Sequence, residues 1–216
     1  MLNTWCKKIW LYVLYFIGLA LTILLFKNWT DWIFEMKFVV VNAIILPFHV
    51  FEEWQFPAGF HYQYNLIYNN SKYPNRYPMN RLIDMITNFS AELFFLLLLV
   101  IGINKGMVLA LTIFSFLEVV IHTLFGIKGY YRFKEKGKKT IYGPGSVTAY
   151  AGFGISGVIA LFWLIKNGVT LGDCGIAAGI LFIMLVGMIF IPENLLKKED
   201  NEYAFSSAGY FEKFLR

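Results

Sequence analysis

Residues 9–26 read IWLYVLYFIGLALTILLF, eighteen positions without a charge. An α-helix rises 1.5 Å per residue, so about 20 apolar residues cross the roughly 30 Å of bilayer hydrocarbon, and this stretch reads as a spanning helix. Lys7-Lys8 precedes it, as in a secretory leader, but Lys27-Asn28-Trp29 follows in place of a small-residue cleavage site, so the span is expected to be retained. Five further stretches share its character, at about 38–56, 81–101, 107–125, 146–166 and 174–191. The expected fold is an all-α membrane protein, a bundle of about six transmembrane helices with a short tail over 192–216.

Composition agrees. The 216 residues are 58% apolar, 19% aromatic and only 15% charged, whereas soluble domains run near 45–50% apolar and about 25% charged. Disorder, an ordinary soluble enzyme and a disulfide scaffold are excluded, and Cys6 and Cys174 fall in no motif. The net charge of +5 suits loops facing anionic lipid and requires no nucleic acid. With a cytoplasmic N-terminus, fifteen Lys and Arg fall in cytoplasmic segments and four outside, so both termini are expected in the cytoplasm of a multi-pass cell-membrane protein. The segment 57–80, with Pro57, Pro74, Pro78 and five tyrosines, reads as a cytoplasmic loop at the membrane surface and a candidate lid. Gly152, Gly154 and Gly157, and the pairs Gly168/Gly172 and Gly175/Gly179, are expected to let helices approach closely. No internal repeat is visible, which weighs against an inverted-repeat transporter.

Polar residues inside the spans are the informative ones, because each is costly there. The second span carries Asn42, His49, Glu52 and Glu53 near one face; the third carries Asp84, Asn88 and Glu92 at i, i+4, i+8; the fourth carries Ser115, Glu118 and His122 at i, i+3, i+7. Counted from the outer ends, His49, Glu92 and Glu118 lie about 14–16 Å deep, and Glu52, Glu53 and His122 about 21–22 Å deep. Three helices thus turn one polar line each toward a common depth. Four carboxylates there would cost roughly 10–14 kcal/mol on the lenient insertion scale, and no Lys or Arg inside these spans offsets them. Protonation, a wet cavity or divalent cations are the remedies. His49, Glu52, Glu53, Glu92, Glu118 and His122 are therefore candidate ligands for one or two ions of Zn, Fe or Mn. Glu52 or Glu53 is the candidate bridging group or general base, and Asn42, Asp84, Asn88 and Ser115 are candidates to support the site or bind substrate.

The run His49-Val-Phe-Glu52-Glu53, the later His122 and the sequence Tyr142-Gly-Pro144-Gly145 form an ordered trio, H-x-x-E-E, His and Y-x-P-G, across roughly 38–166. In these motifs the chain resembles the HXXEE domain family of small integral membrane proteins, which has no established activity. The resemblance implies positions and no reaction: His49, Glu52, Glu53, His122, Tyr142, Pro144 and Gly145. Physically, Pro144-Gly145 opens the fifth span, and Tyr142 either anchors in the headgroup belt or roofs the polar site.

The run is neither the H-E-x-x-H of zinc proteases nor its H-x-x-E-H inversion, and three histidines are too few for the histidine boxes of membrane desaturases. The expected function is a membrane metalloenzyme, hydrolase or oxidoreductase, reaching a lipidic or amphipathic substrate from the cytoplasmic side. The alternatives are a metal-free acid–base enzyme of isomerase type, and a proton- or cation-coupled transporter or ligand sensor.

Overall fold

The computed structural model of the protein describes residues 2–215, and among these six helices are long and apolar enough to cross a bilayer. They are α1 (Leu2–Lys27), α2 (Phe34–Trp54), α3 (Arg81–Ile101), α4 (Lys105–Lys136), α5 (Ser146–Asn167) and α6 (Leu171–Leu196). No strand occurs among the described residues.

Local chemistry sets most of the boundaries. Asn80 caps α3 by accepting from the amides of Leu82 and Ile83, Asn104 caps α4 by accepting from Met107, and Thr170 with Asp173 forms a reciprocal capping box at α6. Gly102 and Gly168, both at positive φ, end α3 and α5.

The core between the helices is largely apolar. Trp10, Leu14, Val39, Val40, Phe95, Val108, Leu111 and Phe153 are buried together there. Gly18 of α1 lets Pro47 of α2 approach, since a Cβ at Gly18 would stand 2.9 Å from the proline ring. Gly152, Gly154 and Gly157 of α5 pack close on Ile45, Val119 and Ser115, as the small residues imply. Gly175 and Gly179 of α6 have no atom within 4 Å of an added Cβ among the described residues, so that pair does not mediate contact; Gly106 of α4 takes the role, against Ile176. The start of α6 thus packs on α4. Its later part lies by α3, where Thr87 donates to the Met188 carbonyl at 3.1 Å.

Two elements exceed the sequence expectation. α4 continues well past residue 125, its α-helical part reaching Phe133, so its length of about 44 Å exceeds a 30 Å hydrocarbon layer by about 14 Å. The segment 57–80 is more than a surface loop. It contains a short helix over 60–68 whose Gln63 and Asn65 are buried. Asn65 donates to the Pro74 and Met79 carbonyls and accepts from the Met79 amide. The C-terminal tail closes over this segment. Phe211 and Phe214 pack with Tyr62, Ile67 and Phe133, and the amides of Phe205 and Tyr210 donate to Asn75 and Ala58 carbonyls.

Candidate functional site

His49 and Glu53 lie one turn apart near the C-terminal end of α2, and Glu118 and His122 one turn apart in α4. The i, i+4 spacing puts each pair on one helix face, and the facing helices bring the two pairs together. His49 Nε2 lies 3.3 Å from Glu53 Oε1 and 3.5 Å from Glu118 Oε2; His122 Nε2 lies 3.5 Å and 3.6 Å from the same two oxygens. Imidazole and carboxylate alternate around a closed ring of four donor atoms. The ligand atoms of His49, Glu53 and His122 all lie within 4.8 Å of one another, a spacing able to hold a metal ion. Both imidazoles are buried, with ring centroids 4.9 Å apart and planes at 87°, between Phe153 on the His49 side and Phe60 on the His122 side.

Glu52 has another place. Its Oε1 accepts from the Tyr142 hydroxyl and the Val147 amide, each at 3.1 Å; its Oε2 accepts from the Thr148 amide at 2.9 Å and the Thr148 hydroxyl at 2.7 Å. A carboxylate from α2 thereby caps the first turn of α5, where unpaired amides and the helix dipole favour an anion. Both oxygens are filled by donors, so Glu52 stands outside the ring. It acts on the ring through Thr148, whose hydroxyl lies 2.9 Å from His49 Nδ1. The other partners of that hydroxyl, Glu52 Oε2 and the Gly145 carbonyl, only accept. The His49 ring is therefore the donor in this contact, with its proton on Nδ1 and Nε2 turned to the ring.

The Tyr142-Gly-Pro-Gly145 segment seals the same spot. Gly145 has φ of +88°, and a Cβ there would come within 2.2 Å of His122 Cε1 and 3.0 Å of Glu53 Oε1. Backbone thus fills the space against the imidazole, and only glycine fits both the conformation and the gap. Pro144 is buried beside it. Burial, and then the Glu52 charge, push the Tyr142 phenol up from its ordinary range, which keeps it a donor to Glu52.

The remaining candidates fall elsewhere. Asn42 and Ser115 join α2 to α4 through a 3.2 Å hydrogen bond. Glu92 is fully buried with neither oxygen partnered among the described residues, and no hydrogen bond or ion pair joins it to the ring. Asp84 accepts from the Trp54 indole at 2.8 Å and from Asn88 at 2.7 Å. Asp84 and Asn88 do line a cavity of about 360 Å³ that also takes in His49, Glu53 and Glu118.

Three contributors carried no sequence signal of their own. Thr148 and Trp54 act only through partners remote in the chain. Lys138, in the basic stretch after α4, is buried; it donates to the Tyr142 carbonyl and lies among the rings of Tyr210, Phe211 and Phe214. Burial, with Lys213 adding repulsion, lowers it to about 8.

Comparison with curated proteins and with solved structures returns no match. A family described as "Protein of unknown function with HXXEE motif" matches residues 40–160, more than half of the chain, and that stretch contains the whole ring, its Glu52–Thr148 support and the Tyr142–Gly145 segment. The chain belongs to this HXXEE family.

Proposed function

We propose that this is a multi-pass membrane metalloenzyme in which His49, Glu53, Glu118 and His122 hold one divalent ion beside the cavity, acting on a lipidic or amphipathic substrate. The closed ring of four His–carboxylate contacts carries the reading. Neighbouring ligands on a tetrahedral ion with bonds of about 2.1 Å stand about 3.4 Å apart; the four His–carboxylate contacts measure 3.3 to 3.6 Å, and His49, Glu53 and His122 are the three whose ligand atoms all lie within 4.8 Å of one another. His49 presents Nε2 to two carboxylate oxygens; an unprotonated nitrogen there needs a cation between the three. Two carboxylates and one M²⁺ also cancel in charge. This favours one ion over two, since Glu52 is saturated by donors and Glu92 stands apart.

A bound ion would supply Lewis acidity. The protein's own groups do the rest: Glu53 and Glu118 each direct one oxygen at the imidazoles and keep the second to accept a proton. Glu118, whose side chain is 18% exposed against 4% for Glu53, is the more open of the two. Phe60 and Phe153 exclude water from the imidazoles. The donor set suits Zn, Fe or Mn, and the metal recovered separates hydrolase from oxidoreductase chemistry. The bias of Lys and Arg supports a cytoplasmic position for both termini and for the C-terminal ends of α2 and α4, and with it entry of substrate from that leaflet.

The same contact lengths favour a second reading, in which His49 is an imidazolium paired with Glu53 and Glu118 and the site does metal-free acid–base chemistry. Metal analysis of purified protein decides. We expect about one equivalent of Zn, Fe or Mn, lost in the His49→Ala/His122→Ala variant. Native protein that is metal-free and shows no stabilisation by any of the three ions overturns the metalloenzyme reading in favour of the second.

A further inference from the structure

The cavity beside the ring has a composition that narrows its ligand. Most of its wall is apolar: Leu46, Ile83, Phe114, Phe153, Met184 and Met188 among others. The ionisable groups on the wall besides His49 and two tyrosines are all acidic, namely Glu53, Glu118, Asp84 and Glu193, and no Lys or Arg lines it among the described residues. Lys128 lies over the Tyr68 ring at 4.3 Å and is not on the wall. If Glu53 and Glu118 are matched by an ion, Asp84 and Glu193 are left without a cationic partner. Asp84 accepts one N–H on each oxygen and has no cationic partner among the described residues, and it is 2% exposed. An uncompensated buried carboxylate is expensive.

The way in is lateral. Tyr68, Leu124 and Ile189 are the exposed members of the lining, on the loop helix, α4 and α6. They mark the flank where α6 has left α4 and crossed to α3. Glu193 stands at this end, accepting from the Tyr64 hydroxyl at 2.6 Å.

We propose that the cavity takes a basic amphiphile, an apolar chain or ring system bearing an amine, which enters from the bilayer between α4 and α6 and places its ammonium at Asp84. A fatty acid or an anionic phospholipid would meet Asp84 and Glu193 with no Lys or Arg on the wall to pair with. A cavity of a few hundred Å³ is of the size that encloses a small ligand. The proposal rests on the metalloenzyme reading only for the identity of the site; the ion pair at Asp84 needs no metal.

The test uses the full chain in zwitterionic lipid nanodiscs, with tetradecylamine, tetradecanol and tetradecanoate as probes and the ligand-induced rise in Tm as readout. The amine is expected to bind at least tenfold more tightly than the alcohol and the carboxylate least. Asp84→Asn is expected to erase the amine's advantage over the alcohol. His49→Ala/His122→Ala, stripped of metal, is expected to keep it. If the carboxylate matches the amine, or if Asp84→Asn preserves the preference, the inference is overturned. Should Asp84→Asn fail to fold, the ranking of the three probes on native protein still decides. An amine preference in protein that never binds metal sinks the metalloenzyme reading alone. Stoichiometric metal with no amine preference sinks this inference alone.

Discussion

Thr148 illustrates how the site is tuned one side chain at a time. Its single hydroxyl accepts a hydrogen bond from His49 Nδ1–H and donates one to Glu52, so one residue sets the imidazole's tautomer and orientation. Outer partners of this kind are worth about 10–100-fold in metal affinity. Thr148→Val keeps the shape and removes the hydroxyl; metal affinity, read by chelator competition, should fall by that factor, and Thr148→Ser should restore it. Glu92→Gln should leave metal content unchanged, because Glu92 is joined to no member of the ring; a loss of metal in that variant would return Glu92 to the ligand set. At this scale His49, Glu53, Glu118 and His122 were legible because i, i+4 pairs on two apolar helices have few other readings. The separate roles of Glu52 and Glu53 were not. Adjacent residues on a helix differ by about 100° in direction, and only the position of α5 shows which one meets an imidazole and which one caps a helix.

Elements are held by their ends as much as by their faces. Asn80 begins α3 by accepting two amides and also donates to the Leu196 carbonyl at the end of α6, at 3.3 Å. Asn80→Ala should destabilise the protein by about 1 kcal/mol or more, seen as a lower Tm in detergent with metal content retained. The six apolar stretches located the helices to within a few residues except where helix continues outside the hydrocarbon. Past residue 125 the sequence of α4 turns basic, and hydropathy alone stops the span there, yet its backbone continues helical because Phe125, Gly126, Gly129 and Phe133 still face protein. A Cβ at Gly126 would stand 2.1 Å from the Ile141 carbonyl oxygen, so the extension packs directly on the strand of chain leading to Tyr142. The helix over 60–68 was hidden for the opposite reason. Its buried Gln63 and Asn65 look like loop residues until their tertiary neighbours are known.

Across the whole molecule, the tail and the 57–80 segment form a cap over the end of the bundle where α2 closes and α3 opens. His61 is buried in it, stacked on Phe205 with centroids 3.6 Å apart. Burial lowers His61 to about 3. The unfolded chain, with an ordinary histidine near 6.5, therefore binds a proton that the folded cap does not between pH 6.5 and about 3. Stability must rise with pH across that window and fall on acidification. Going from pH 7 to 5 should cost the cap about 2 kcal/mol. The expected reading is faster proteolytic removal of the tail at pH 5, an effect that His61→Phe should largely abolish. An equal pH effect in the variant would assign it to other groups.

The sequence by itself determined that the chain carries six helices long and apolar enough to span a bilayer and that its acidic and imidazole side chains fall on a few helix faces. Both follow from one-dimensional periodicity and the cost of polar atoms in hydrocarbon. Only the tertiary structure decided which of those groups meet. Four close into a ring, Glu52 caps α5 instead, Glu92 stays alone and Asp84 turns to the cavity. The physical reason is that contact between helices depends on rotation and crossing. Those are set by packing details such as Gly18 on Pro47, Gly106 on Ile176 and Gly145 on His122, which no single helix encodes.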